Sequence, residues 1–146
     1  MKIQLEDLSN CRLDIIQLIE MHYQSVNIFP EFPFNPDIQL FDTLNESNAL
    51  FVFTLRDSEN ILRGYSINLK TKDLIMQQPR SANMSLFIEE AYRGVDALKL
   101  MNVTEKYSKF IGMTFHTWLI PVMNDFSLIL TRRGYVKEET LYTKRH

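Results

Sequence analysis

The sequence predicts an α/β (α+β) domain, a sheet mixed with helices, and three observations carry that prediction. Two stretches, beginning near Leu8 and Asp96, space their apolar residues at helical intervals. Others, at 49–56, 61–70 and 83–89, are runs of β-formers bounded by turn residues. The two kinds are mixed along 146 residues, 45% hydrophobic and 23% charged, enough for one core and too apolar for disorder. Residues 1–146 therefore read as one domain, which buries roughly two-thirds of its unfolded surface.

Residues 2–6 alternate as a short strand would. From Leu8, the residues Leu8, Cys11, Ile15, Leu18, Ile19 and His22 share one helical face, with Asp7 or Ser9 as the cap. Pro30, Pro33 and Pro36 forbid regular helix across the aromatic segment Asn27 to Asn35. Asn35-Pro36 is expected to start a second helix with Ile38, Phe41 and Leu44 inward. A hairpin follows: Ala49–Arg56, a turn at Asp57-Ser58-Glu59-Asn60, and a return over Ile61–Lys70. Residues 71–81 are polar and ambiguous, and Asn83–Glu89 is a third strand. Asp96–Ile111 is a helix closed by Gly112, with Ala97, Leu100, Met101, Thr104, Tyr107 and Ile111 inward. Met113–Trp118 is a strand. Met123–Arg133 reads as a helix capped by Asn124 or Asp125 and ended by Gly134, with Arg132 and Arg133 suited to its last turn. Tyr135–Lys144 closes the domain as a strand or two short ones. The expected order is β-α-α-β-β-β-α-β-α-β.

Composition excludes several classes. Sixteen basic against eighteen acidic residues, net charge −2, leave no basic tract for nucleic acid. The single cysteine, Cys11, cannot form an internal disulfide, which fits a reducing compartment, and its place on an apolar helix face makes it inert core. No Cys/His cluster offers a metal site. No run approaches the ~20 apolar residues of a membrane span. Met1–Glu6 carries no apolar leader run, so the expected place is the cytoplasm, or an assembly built there.

One segment points to chemistry. Leu86-Phe87-Ile88 is the end of a strand, and Tyr92-Arg93-Gly94-Val95-Asp96-Ala97-Leu98 is a loop that opens a helix. A helix N-terminus presents unpaired N–H groups and partial positive charge, and glycine lets that backbone approach a phosphate closely. This segment resembles the central strand–loop–helix of the GNAT superfamily, the acyl-coenzyme A-dependent N-acyltransferases, whose loop runs Tyr-Arg-Gly-x-Gly-x-Gly. The likeness continues through Gly112 and the strand after it, and through Asn124 to Gly134-Tyr135, similar to the family's closing Asn…Gly-Phe. Thr140-Leu141-Tyr142-Thr143-Lys144 resembles the C-terminal strand of small GNAT proteins from phage genomes, and Met21-His22-Tyr23 and Arg63-Gly64-Tyr65 fit that branch.

The resemblance implies a GNAT fold, a mixed and mostly antiparallel central sheet flanked by helices, with acetyl-CoA as cofactor. Its binding would fall to the backbone of Leu86, Phe87 and Ile88 and the loop Arg93, Gly94, Val95, Asp96, Ala97 and Leu98. Glu89 is the candidate base, with Glu90 beside it. The segment after the first helix borders the family's acceptor cleft, so His22, Phe29, Phe32 and Phe34 become candidates for a substrate or partner rim. His116, beside Trp118, reads as a packed histidine able to shuttle protons.

Two features depart from the family. Asp96 and Leu98 stand where small residues approach the phosphates; a carboxylate there repels pyrophosphate unless it turns away to cap the helix. Leu130 occupies the place of the tyrosine that protonates the leaving thiolate, and it has no proton to give. Two functions follow from the resemblance. One is an N-acetyltransferase acting on a primary amine of a small molecule or a protein. The other is a catalytically degenerate phage protein, a virion component or host-directed interaction module with a phage or host protein as partner.

Overall fold

The computed structural model describes all 146 residues. Strands β1 (Lys2–Glu6), β2 (Leu50–Arg56), β3 (Leu62–Lys72), β4 (Pro79–Ile88) and β5 (Phe115–Trp118) form one sheet in the order β1-β2-β3-β4-β5. Its first three pairings are antiparallel, while β4 and β5 run parallel. Helices α1 (Leu8–Val26) and α2 (Ile38–Glu46) precede β2, α3 (Val95–Phe110) joins β4 to β5, and α4 (Ser127–Arg132) follows β5. Single 3-10 turns occupy Glu90–Tyr92 and Val122–Asn124.

The period-2 pleat gives the sheet two chemically different faces. On one, Leu50, Val52, Leu62, Tyr65, Ile67 and Phe87 meet Leu8, Cys11, Ile15 and Leu18 of α1, the helical face read from the sequence. Each such side chain contributes about 1.5–3 kcal/mol on full burial. Asp7 caps α1, its carboxylate accepting from the Ser9 N–H at 2.9 Å. On the other face, Phe51, Phe53, Leu55 and Ile88 pack with Leu100 of α3. Beside them lies a buried polar network. Asn83 donates to Asn68 Oδ1 (2.9 Å) and Ser66 Oγ (3.0 Å), and Thr104 of α3 donates to Ser66 Oγ (3.0 Å). Ser81 Oγ lies 2.6 Å from His116 Nδ1, on β5.

Several sequence expectations change. The ambiguous stretch 71–81 holds the end of β3, a turn and the start of β4; Asp73 folds the turn by accepting from the N–H groups of Ile75 and Met76 (2.9 and 2.8 Å). The second helix starts at Ile38 rather than at Asn35-Pro36, because Asp37 supplies the cap, accepting from Leu40 N–H at 2.9 Å. The helix read over Met123–Arg133 is broken: Val122–Asn124 is a 3-10 turn, and Asp125 accepts from Ser127 N–H (2.8 Å) only where α4 begins. Residues 135–144 form no strand. Val136, Leu141 and Tyr142 do not alternate onto one face and stay 83%, 87% and 90% exposed. Ion pairs tether the segment instead, Glu138 to Arg80 (2.8 Å) and Arg145 to Glu31. The order is therefore β-α-α-β-β-β-α-β-α, without the final strand. No helix is long and apolar enough to cross a membrane.

Candidate active site

The site begins with a break in β4. Arg80, Ser81, Ala82 and Asn83 pair with β5, and that pairing stops at Trp118. At this point the register between β3 and β4 slips, Ile67 facing Ser85 and Asn68 facing Asn83, so Met84 is the extra residue of a bulge. Beyond it β4 keeps β3 as its partner but has no strand on its other side. β5 itself ends at Trp118, so from there β4 runs on alone on that side, and this gap is the fork.

Backbone geometry fixes what the fork presents. Glu89 N–H donates to Arg63 O (2.9 Å), so Ile88 and Gly64 form the non-hydrogen-bonded type of antiparallel pair. The amide and carbonyl of Ile88 therefore point away from β3, and those of Leu86 follow by the two-residue alternation. Of the three strand residues proposed from the sequence, Leu86 and Ile88 face the fork, while Phe87 directs its backbone to β3 and its ring into the α1 core. The Ile88 carbonyl accepts from Arg93 Nε at 2.9 Å. The motif's arginine thus closes one end of the open edge.

The N-terminus of α3 lies just past this edge. Gly94 sits at the cap with φ 115° and ψ −126°, a conformation that favours glycine, and no side chain bonds to the cap. Nothing lies within 4 Å of where a Cβ at Gly94 would stand, so the space before the helix is open. The first intrahelical donors are Ala97 and Leu98, both to Gly94 O, which leaves the N–H groups of Val95 and Asp96 outside the helical ladder. Asp96 is not the cap expected from the sequence, since Gly94 takes that position. Asp96 lies in the first turn, paired at 3.4 Å with Lys99. Leu98 is 38% exposed and Val95 68%, both at the mouth.

The fork's two flanks differ. Toward α3, the Leu86 side chain borders a cluster of Met101, Trp118 and Leu130 with Ile120 and Phe126. Leu130, at the family's acid position, is buried in that cluster. Toward α1, the flank is polar. His22 Nδ1 lies 3.0 Å from Ser85 Oγ and 3.1 Å from Tyr65 Oη, and those two oxygens are 3.0 Å apart. The His22 ring stacks on Phe87 at 5.1 Å and 21°. Burial, and secondarily the Arg93 charge, lower its pKa. Burial also pushes the Tyr65 hydroxyl upward, out of the range of ordinary titration.

The remaining candidates scatter. Glu89, the sequence's candidate base, is held by Arg63 Nη1, 3.4 Å from both carboxylate oxygens; Arg63 also pairs with Asp57 (2.8 Å) and lies over the Tyr92 ring (4.9 Å). Phe34 packs against Tyr23 (5.8 Å), Phe29 is half-buried, and Phe32 is 53% exposed beside its carbonyl's bond from Tyr23 Oη. Only His22 of this rim reaches the fork's polar flank. His116 lies on β5 against Trp118 (4.7 Å, 81°), its pKa lowered to about 4 by burial. Cys11, on α1, is buried in the core, where burial pushes its thiol up to about 12. Sequence reasoning missed Ser85 and Tyr65. Their parity with Phe87 on the α1 face was a signal, but the bulge at Met84 hides the register that brings them together.

No protein-family model matches the chain, and no curated protein matches it in sequence. Solved structures do match in fold. A Pyrococcus furiosus protein assigned as an acetyl transferase superposes with TM-score 0.78 at 18% identity, over 99% of this chain and 100% of that one. A ribosomal-protein-alanine N-acetyltransferase from Brucella melitensis biovar Abortus 2308 superposes with TM-score 0.73 at 16% identity over 100% of both chains. An aminoglycoside acetyltransferase from an uncultured soil metagenomic sample, in complex with sisomicin, gives 0.74 at 17% identity over 99% and 95%. The five-stranded mixed sheet, forked beside the third helix and flanked by helices on both faces, is the fold of the GNAT acetyltransferases.

Proposed function

We propose that this chain is an N-acetyltransferase that moves the acetyl group of acetyl-CoA to a primary amine. The observation that carries the reading is the fork: a β4 edge unpaired at Leu86 and at the Ile88 amide, followed by the uncapped α3 N-terminus at Gly94. An extended amide-bearing arm adds to such an edge as a strand would. A pyrophosphate suits free N–H groups at a helix start. The residues fit the cofactor with one reservation of charge. Asp96 places a carboxylate in the turn that would meet the phosphates, and Lys99 at 3.4 Å partly offsets it.

In the transfer, Leu86 and Ile88 hold the arm in register with the sheet, and the apolar flank of Trp118, Ile120 and Phe126 excludes water from the thioester. Placing amine and thioester side by side supplies much of the rate, because a positioned pair reacts as if at very high concentration. The matched structures act on aminoglycosides in one case and on ribosomal-protein alanine in another. Acceptors of that chemistry, a small-molecule amine or a protein amino group, are the ones to test here. Leu130 favours a second reading, a degenerate phage protein that keeps the fold as an interaction module in a virion or against a host protein, because a buried leucine protonates nothing.

Thermal unfolding with acetyl-CoA separates the two. At a hundredfold excess over Kd a ligand stabilises by about 2.7 kcal/mol. The enzyme reading expects a rise in Tm with acetyl-CoA and release of CoA thiol when amines are added. No rise at millimolar acetyl-CoA would sink it.

A further inference from the structure

Resting on the acetyl-transfer reading, we propose that Ser85, His22 and Tyr65 form the proton relay that deprotonates the attacking amine, with Ser85 Oγ as the group that meets it. Glu89, the carboxylate nearest the end of β4, is committed to Arg63. The α1 flank of the fork offers the only cluster in which a neutral imidazole and two hydroxyls lie within hydrogen-bond distance of one another at the point where β4 loses its partner.

Position argues for it first. Ser85 is the first residue past the Met84 bulge and retains partial exposure, whereas Tyr65 is fully buried behind it. His22 lies on α1, the helix that leads into the aromatic segment and packs against the 3-10 turn Val122–Asn124 after β5. The relay thus occupies the side of the fork opposite the apolar flank of Trp118 and Leu130.

Chemistry argues for it second. With its proton on Nε2, His22 is an acceptor at Nδ1. Tyr65 Oη, which stays protonated, donates to Ser85 Oγ, and Ser85 donates to His22 Nδ1, a chain supported by separations of 3.0 Å each. Ser85 Oγ keeps a lone pair for the amine. As the nitrogen attacks the thioester carbon, its proton passes to Ser85 Oγ and the Ser85 proton passes to Nδ1. The C–N bond forms, the C–S bond breaks, and the departing thiolate takes a proton from water. His22 Nε2 is buried without a partner, so the imidazolium returns its proton from Nδ1 through Ser85 Oγ, the partly exposed member, to solvent. The groups facing His22 are Tyr65 from β3, Ser85 and Phe87 from β4, and the Arg93 charge from the loop before α3. Burial first, and the Arg93 charge second, disfavour the imidazolium, so the proton does not rest there.

The test is CoA-thiol release from acetyl-CoA, with sisomicin, spermidine and an alanine N-terminal peptide as acceptors, alongside the thermal shift by acetyl-CoA. Ser85→Ala and His22→Gln are expected to lower kcat on the order of 10²-fold with the KM for acetyl-CoA within about twofold, and Ser85→Thr to restore most of the loss. The wild-type kcat falls at acid pH as His22 takes a proton, and that limb disappears in His22→Gln. Should His22→Gln not fold, the Ser85 pair decides. An unchanged kcat in Ser85→Ala, or a loss carried by KM alone, overturns the relay. So does a wild-type protein that binds acetyl-CoA yet releases no thiol with any acceptor. An absent thermal shift overturns the underlying cofactor reading, and is seen separately.

Discussion

The two halves of β4 are made of the same strand and do opposite work. Arg80–Asn83 has a partner on each side and buries polar groups that are bonded: Asn83 to Asn68 and Ser66 of β3, and Ser81 to Ser108 of α3 and His116 of β5. Ser85–Ile88 has one partner, and its other edge has no strand beside it. A single bulged residue, Met84, divides them. Buried and fully bonded polar groups fix a register, whereas an open edge leaves backbone groups for something else to bind. The lesson is that the paired half locks the geometry that the open half needs.

That contrast is broken most severely at Asn83. It is 1% exposed and donates to three partners within 3.3 Å, Asn68, Ser66 and Ile67. Asn83→Ala is expected to cost about 2–4 kcal/mol in denaturant unfolding, because its partners are left buried and unbonded. Met84→Ala, at 45% exposure one residue away, should cost less than about 0.5 kcal/mol. Equal costs would refute the division.

His116 tests the paired half through pH. Its folded pKa is about 4 against an ordinary 6.5, because burial beside Ser81 and Trp118 disfavours the charged ring. The unfolded chain therefore takes up a proton first as pH falls. The contribution is whole above pH 6.5 and is lost as pH falls toward 4, up to about 3 kcal/mol. Glu6, held at about 2 by Arg56, acts in a lower window, as its carboxylate protonates. His116→Gln should flatten stability between pH 6.5 and 4; an unchanged slope would assign it elsewhere.

The open half is probed at Gly64. A Cβ there would lie 2.8 Å from Ile88 Cγ1 and 2.9 Å from the Phe87 carbonyl oxygen. Gly64→Ala should cost about 1–3 kcal/mol and weaken acetyl-CoA binding by shifting the edge it forces apart. A smaller effect is expected at Asp96. Replacing it with Asn removes one charge from the turn and should tighten acetyl-CoA binding severalfold, about 1 kcal/mol, in a titration by calorimetry. Weaker binding would mean that Asp96 faces the ligand favourably.

The elements legible in the sequence were those whose side chains sort by period. Leu8, Cys11, Ile15 and Leu18 announced α1 and its buried face, and Ala49–Arg56 with Ile61–Lys70 announced a hairpin that the structure forms. Tyr92-Arg93-Gly94 located the strand-to-helix turn at the fork, with the cap misassigned by two residues from Gly94 to Asp96. The C-terminus was illegible for a physical reason. A pattern of β-formers at 135–144 carries no single buried face, so charge pairs with Arg80 and Glu31 decide its path instead of a ladder. The polar flank was illegible because it depends on register. Tyr65 and Ser85 lie twenty residues apart and meet only because a bulge sits between them and the pairing below.

The most direct test is amide hydrogen exchange along β4 with and without acetyl-CoA. The account predicts slower exchange at Leu86 and Ile88, and at Val95 and Asp96 at the start of α3, with Ser81 through Asn83 unchanged because they are already paired on both sides. Protection that falls outside these residues, or none at all at saturating acetyl-CoA, would contradict it.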